Sequence, residues 1–100
     1  MRRREIRRRI VSVALCPVVL GMLAFEPRPV GAVARELARR GLDAGLPAHQ
    51  AASVTLARLQ RDGLVYGRAA PRDQRVFRVT ARGRRELAFH GTIARMLARA

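Results

Sequence analysis

Residues 56–87, LARLQRDGLVYGRAAPRDQRVFRVTARGRREL, constrain the fold more tightly than any other stretch of this chain. A helical run carrying Leu56 and Leu59 stops at Gly63, a residue that takes the left-handed conformation often required just past a helix. Two short apolar runs follow, Leu64 to Arg68 and Arg75 to Thr80. In the second, Phe77 and Val79 alternate with Val76 and Arg78, the period of a half-buried strand. Between the runs lies Ala69-Ala70-Pro71-Arg72-Asp73-Gln74, a polar and turn-prone hairpin tip. Thr80 then stands where its hydroxyl can cap a new helix. The expected order is helix, cationic hairpin, helix.

The flanking segments extend that order. Pro47 opens a helix expected to reach about Asp62, with Ala52, Leu56 and Leu59 spaced i, i+4, i+7 as its buried stripe. Val30 to Arg40 reads as a shorter helix with Val33, Ala34 and Leu37 on one face and Gly41 as its cap. Leu42 to Leu46 connects the two, bending at Gly45. Glu26-Pro27-Arg28-Pro29 is a break, two close prolines ending one helix and priming another. Pro17 suits a first helical turn, so the first helix is expected there, with Val18, Val19, Met22, Leu23 and Phe25 as its buried face. The last helix begins near Ala81 and carries Leu87, Ile93, Met96 and Leu97 on an apolar side, weakened at Gly91 by roughly 1 kcal/mol relative to Ala. The expected fold class is mostly α with a small β-hairpin, in the order of a winged helix-turn-helix with a C-terminal dimerisation helix. The domain reading is a basic N-terminal arm over 1–9, a winged helix-turn-helix over 10–80 and the C-terminal helix over 81–100.

Charge narrows the class of partner. Twenty-one basic residues, all Arg, face seven acidic ones, a formal net charge of +14 in 100 residues. Such a chain attracts polyanions, nucleic acid before anionic membrane. Arg2, Arg3, Arg4, Arg7, Arg8 and Arg9 form an arm of the kind that tracks a nucleic-acid backbone, or a solvated terminus. The uncharged run from Ile10 to Phe25 behind that arm resembles a secretory signal. Pro17 in its middle, the absence of a small-x-small site after it and the Leu15 before Cys16 argue for a core helix instead. It is also short for a membrane span of about twenty apolar residues. Cys16 is the single cysteine, so no internal disulfide forms, and a buried inert thiol in a reducing cytoplasm is expected.

At residue level the chain resembles the PadR-type transcriptional regulators over roughly residues 18–90. Leu20-Gly21-Met22-Leu23-Ala24 stands where that family has a Leu-Gly-x-Leu-Ala helix end. Pro27 to Gly31 stands in place of its Pro-x-x-Gly turn, one residue longer. LARLQRDGLV and RVFRVTARGRREL resemble the family's recognition-helix end, wing and Thr-x-x-Gly-Arg helix start, features shared with the wider MarR-type winged helices. Ala32 departs from the family's usual Tyr after the turn Gly, and Ala52-Ser53 from its early Leu-Tyr pair.

The third helix of this fold enters the major groove. His49, Gln50, Ser53 and Val54 are the expected base readers: Gln pairs with an adenine edge, Ser adapts, and Val packs on a thymine methyl. Ala57 lies farther along the same side. Arg58, Arg61, Arg68, Arg72, Arg75 and Arg78 are expected on the backbone, with Asp73 holding a neighbouring Arg or serving as a turn residue. One module reads too few bases, so a homodimer on a palindromic site is expected, joined through Leu87, Phe89, Ile93, Met96 and Leu97 and aided by residues 10–16. These side chains can instead pack back on their own domain. One Cys and two His without ligand spacing, and no phosphate loop or nucleophile elbow, leave no expected enzyme, metal or cofactor. The expectation is a cytoplasmic, sequence-specific DNA-binding regulator, a repressor because the chain has no room for an activation domain. An architectural or replication-associated binder of the same fold is the alternative, and a small cationic secreted or membrane-anchored protein a third class.

Overall fold

The computed structural model describes residues 3–43 and 45–99, and at positions 4, 73, 93, 94 and 99 it describes the backbone alone. Four α-helices, three short strands and one 3₁₀ turn follow in the order α1 (Arg3–Phe25), β1 (Arg28–Pro29), α2 (Val30–Arg39), α3 (Ala48–Arg61), β2 (Val65–Ala70), the 3₁₀ turn (Pro71–Asp73), β3 (Gln74–Val79) and α4 (Ala81–Arg99). The chain is mostly helical, with a small antiparallel sheet in the order β1-β3-β2.

The first helix corrects the sequence reading. It does not begin at Pro17; it begins at Arg3 and carries Pro17 inside it. The arginines expected as an arm from Arg3 to Arg9 are therefore two turns of a continuous rod roughly 35 Å long. Arg2 and the side chain of Arg4 lie outside the described residues. An interior proline removes one helical hydrogen bond and costs about 3 kcal/mol. Its ring is exposed, and burial of Val11, Leu15, Val19, Leu20, Met22 and Leu23 offsets that cost. Phe25, expected in the core, is 83% exposed, because the helix ends there and its last side chain points away from the packed stripe.

The core is one cluster in which α1, α2 and α3 meet, with Leu37, Leu56, Leu59, Val19, Val33 and Val65 essentially sealed from solvent. The expected stripe of α3 is buried as read: Ala52, Leu56 and Leu59 are joined by Ala51 and Thr55. The Thr55 hydroxyl is satisfied locally, donating to the Ala51 carbonyl at 2.7 Å. A window of α1, Glu5–Phe25, is long and apolar enough to cross a membrane. In the folded chain 39% of that window is buried: Val11, Leu15, Val19, Leu20, Met22 and Leu23 pack in the core, whereas Ile6, Ile10, Val13 and Phe25 remain exposed.

Helix α3 ends as its sequence requires. Gly63 has φ 75°, its N–H bonds the Gln60 carbonyl, and the Leu64 N–H bonds Leu59 at 2.9 Å. This paired pattern satisfies carbonyls that a helix end otherwise leaves open. The hairpin runs from Val65↔Val79 through Gly67↔Phe77 to Ala70↔Gln74, longer on its first arm than expected. Its tip turns on Arg72, a non-glycine residue at φ 69°.

Segment Glu26–Pro29 is more than a break. Arg28 pairs with Phe77 and Pro29 with Val76, which makes β1 an edge strand on the hairpin. A residue before proline is pushed into extended backbone, and a proline without N–H is tolerated at an edge.

Thr80 caps α4 as expected: the Gly83 N–H donates to its hydroxyl oxygen at 3.0 Å, and that hydroxyl donates to the Gly63 carbonyl at 2.8 Å. Gly83 is buried where α4 crosses the base of the hairpin. A Cβ there would fall against the Leu64 carbonyl oxygen and lie 2.7 Å from Val79 Cγ1. Overpacking of this kind costs about 1–3 kcal/mol, and backbone that cannot yield puts Gly83→Ala at the upper end. Denaturant unfolding should show a loss of about 2–3 kcal/mol for Gly83→Ala. Gly91→Ala, with nothing within 4 Å of its Cβ position, should instead stabilise by several tenths of a kcal/mol or more.

Candidate nucleic-acid interface

With one side of α3 sealed in the core, the opposite side is free for a ligand. His49, Ser53, Ala57 and Gln60 recur at i, i+4, i+8 and i+11, and all four are exposed. Gln60 was not among the expected readers, although the same period reaches it. A second row, Gln50, Val54, Arg58 and Arg61, lies beside the first on the flank nearest α1. Gln50, Val54 and Arg58 are half-buried and Arg61 is exposed. The four expected readers are thus divided, His49 and Ser53 facing outward and Gln50 and Val54 turned toward α1.

That division follows from the length of α1. Its basic first turns run beside α3 and bring Arg8 and Arg9 opposite Arg58 and Arg61 across an open groove of about 540 Å³. Four arginines line one trough, with Ser12, Val13, Val54 and Ala57 completing its lining. The Ser12 hydroxyl is turned inward onto the Arg9 carbonyl at 3.0 Å and does not contribute to that surface. Four guanidinium groups along one open groove suit an extended anion such as a phosphodiester backbone.

Arg8 also reaches Gln50. The Gln50 carboxamide oxygen accepts from Arg8 Nε at 2.7 Å and from Nη2 at 2.6 Å. The amide is assigned this way because the opposite orientation sets its N–H₂ against guanidinium N–H groups. Both lone pairs of that oxygen are used, leaving Gln50 two N–H donors.

The hairpin arginines do not form one row. Residues opposite in register share a face, so Arg68 and Arg78 lie on the face that carries Tyr66. Arg75 lies on the other face, opposite Ala69, with its aliphatic stem over Gly67, where a Cβ would fall 2.7 Å from Arg75 Cδ. Arg72 stands at the tip. Arg68, Arg72, Arg75 and Arg78 are all exposed, but a single flat ligand reaches Arg68 and Arg78 together and not Arg75 with them. The side chain of Asp73 lies outside the described residues.

Other arginines are committed elsewhere. Glu36 accepts from Arg39 Nη2 at 2.6 Å and Nε at 3.0 Å, and from Arg40 Nε at 2.7 Å. This trio holds part of the cationic surface away from a ligand. Cys16 is half-buried, and burial raises its thiol pKa more than the facing Arg58 lowers it, so the thiol stays protonated. Among the described residues no group of three or more His, Cys, Asp or Glu is placed to hold a metal.

On α4, Leu87 is half-buried and packs into the core of its own domain, so it does not belong to a free surface. Phe89, Met96 and Leu97 are 61–72% exposed. The side chain of Ile93 lies outside the described residues. On α1, Ile6, Ile10 and Val13 form a further exposed row at i, i+4 and i+7.

The Glu36 trio gives a pH test. Hydrogen bonds from Arg39 and Arg40 bring the Glu36 carboxyl from 4.5 to about 2. Because the folded value is the lower one, the pair's contribution is complete above the unfolded value of 4.5 and fades as pH falls through about 2. Carboxyl-detected NMR should place the Glu36 midpoint near pH 2, and Arg39→Ala with Arg40→Ala should return it to the usual glutamate range. Comparison of the sequence with protein-family models and with curated proteins found no match.

Proposed function

We propose that this chain is a winged helix-turn-helix protein that binds double-stranded DNA sequence-specifically and acts in the cytoplasm as a homodimeric transcriptional regulator of the repressor type. The observation that carries the reading is the trough of Arg8, Arg9, Arg58 and Arg61 running beside the outward row of α3. A helix whose free face ends in a strip of cations is built to lie in a groove between two phosphate strands. The element order, with a hairpin following α3 and carrying Arg68, Arg72 and Arg78, supports the same reading, as does the resemblance of residues 18–90 to PadR-type regulators. In this arrangement His49, Ser53 and Gln60 reach base edges, and Arg9, Arg58 and Arg61 of the trough with Arg68, Arg72 and Arg78 of the hairpin meet phosphate.

Selection of duplexes from a random pool with the purified chain tests the reading. A preferred sequence, with each of Arg9→Ala, Arg58→Ala and Arg61→Ala reducing the slope of log K against log salt by about 1, is the expected result. Recovery of no preferred sequence, with the salt slope intact, would favour an architectural binder and sink the regulator. Ser53→Ala should relax preference at one position per half-site while leaving the slope unchanged.

The homodimer is assigned to the exposed end of α4, with Ile6, Ile10 and Val13 of α1 as a second apolar row. Joint replacement Met96→Glu and Leu97→Glu should yield a folded monomer by sedimentation, with a melting temperature that no longer depends on protein concentration. Leu87→Ala should instead lower stability by about 1–2 kcal/mol without changing the association state.

A further inference from the structure

A glutamine on a DNA-reading helix is ordinarily a reader of adenine. Its oxygen accepts from the N6 amino group while its N–H₂ donates to N7. Gln50 has lost the first half of that pair. Arg8, from the opposite helix, occupies both lone pairs of the carboxamide oxygen with Nε at 2.7 Å and Nη2 at 2.6 Å. What Gln50 can still offer is a pair of donors. The base edge that matches two donors is guanine, which presents O6 and N7 as adjacent acceptors in the major groove. An adenine placed there would set its N6 amino group against a donor, and cytosine would do the same with N4.

We infer that Arg8 is a positioning residue that turns Gln50 into a donor-only reader, so that the base pair facing Gln50 is G·C and not A·T. The inference rests on the reading of α3 as the DNA-contacting helix and adds to it a defined base preference. Arg8 is suited to the task because the rigid fork of its guanidinium grips one oxygen with two N–H groups. Its helix is anchored below by Val11 and Leu15, both buried, so the fork is presented from a fixed base. Gln50 is itself half-buried in the first turn of α3, which limits the directions its amide can take.

The test repeats duplex selection with the full chain and three variants. Gln50→Ala identifies the position read by Gln50, as the one whose preference disappears. The wild-type chain is expected to select G·C there by roughly tenfold or more. Arg8→Ala frees the amide oxygen and should move the preference at that position to A·T, while leaving the other positions of the site as they were. Gln50→Glu keeps the grip of Arg8 but has no donor, and should lose the G·C preference while melting no lower than the wild-type chain. A merely structural role for Arg8 would weaken binding to all duplexes alike without changing which base is chosen. Wild-type selection of A·T at the Gln50 position, a G·C preference that survives Arg8→Ala, or no position that responds to Gln50→Ala would each overturn the inference while the regulator stands. Recovery of no site at all removes the role of α3, and the inference with it.

Discussion

The packing of α1 against α3 is the contact on which the other features rest. Helix α3 buries Ala51, Ala52, Thr55, Leu56 and Leu59, and α1 supplies Val11, Leu15 and Val19 to the same cluster. A surface helix can offer an ordered row of side chains only if its other side is held in one rotation. Rotation of α3 by one residue, about 100°, would carry Leu56 or Leu59 toward water and lose on the order of 2 kcal/mol for each. The outward direction of His49 and Ser53 is therefore a consequence of what the leucines bury.

The same contact assigns a role to the arginines at the N-terminus. Seen as a separate arm, they have no fixed relation to the rest of the chain. As the first turns of α1 they inherit its register, which brings Arg8, Arg9, Ser12 and Val13 to the groove beside α3. Arg8 and Arg9 reach the trough because Val11 and Leu15 hold the helix in that rotation. The helix passes through Pro17 without ending, because burial of its apolar residues on both sides of the proline outweighs the lost hydrogen bond. Cation clustering in the trough is itself unfavourable, and an anion laid along it relieves the repulsion.

Local signals in the sequence were good guides to element ends and poor guides to what meets across space. Gly63 and Thr80 state their roles in one residue each, because a positive φ and a helix cap are local demands. The periodicity of Ala52, Leu56 and Leu59 was legible because burial repeats with the helical turn. The start of α1 was not, because arginines carry no apolar period and Pro17 has the same appearance at a first turn as on an exposed flank. Strand β1 was hidden for a different reason. Two residues have no period, and Arg28 finds Phe77 only after almost half the chain has folded between them. The turn of Gln50 toward α1 likewise involves Arg8, which lies far from it in sequence. The reason Gly83 follows Thr80 by three residues became visible only with the Leu64 carbonyl pressed against it.

One hydroxyl joins two helices that have separate tasks in the proposed assembly. Thr80 Oγ1 donates to the carbonyl of Gly63, at the exit of α3, and accepts from Gly83 in the opening turn of α4. The Thr80 N–H bonds the Leu64 carbonyl at 3.0 Å, and Gly83 closes on that same group. The junction works as a pin: across the base of the hairpin that separates the two helices in sequence, it ties the exit of α3 directly to the opening turn of α4. In the proposed dimer through α4, the distance between the two α3 helices would be a dimension machined at this corner, and with it the half-site spacing of a palindrome.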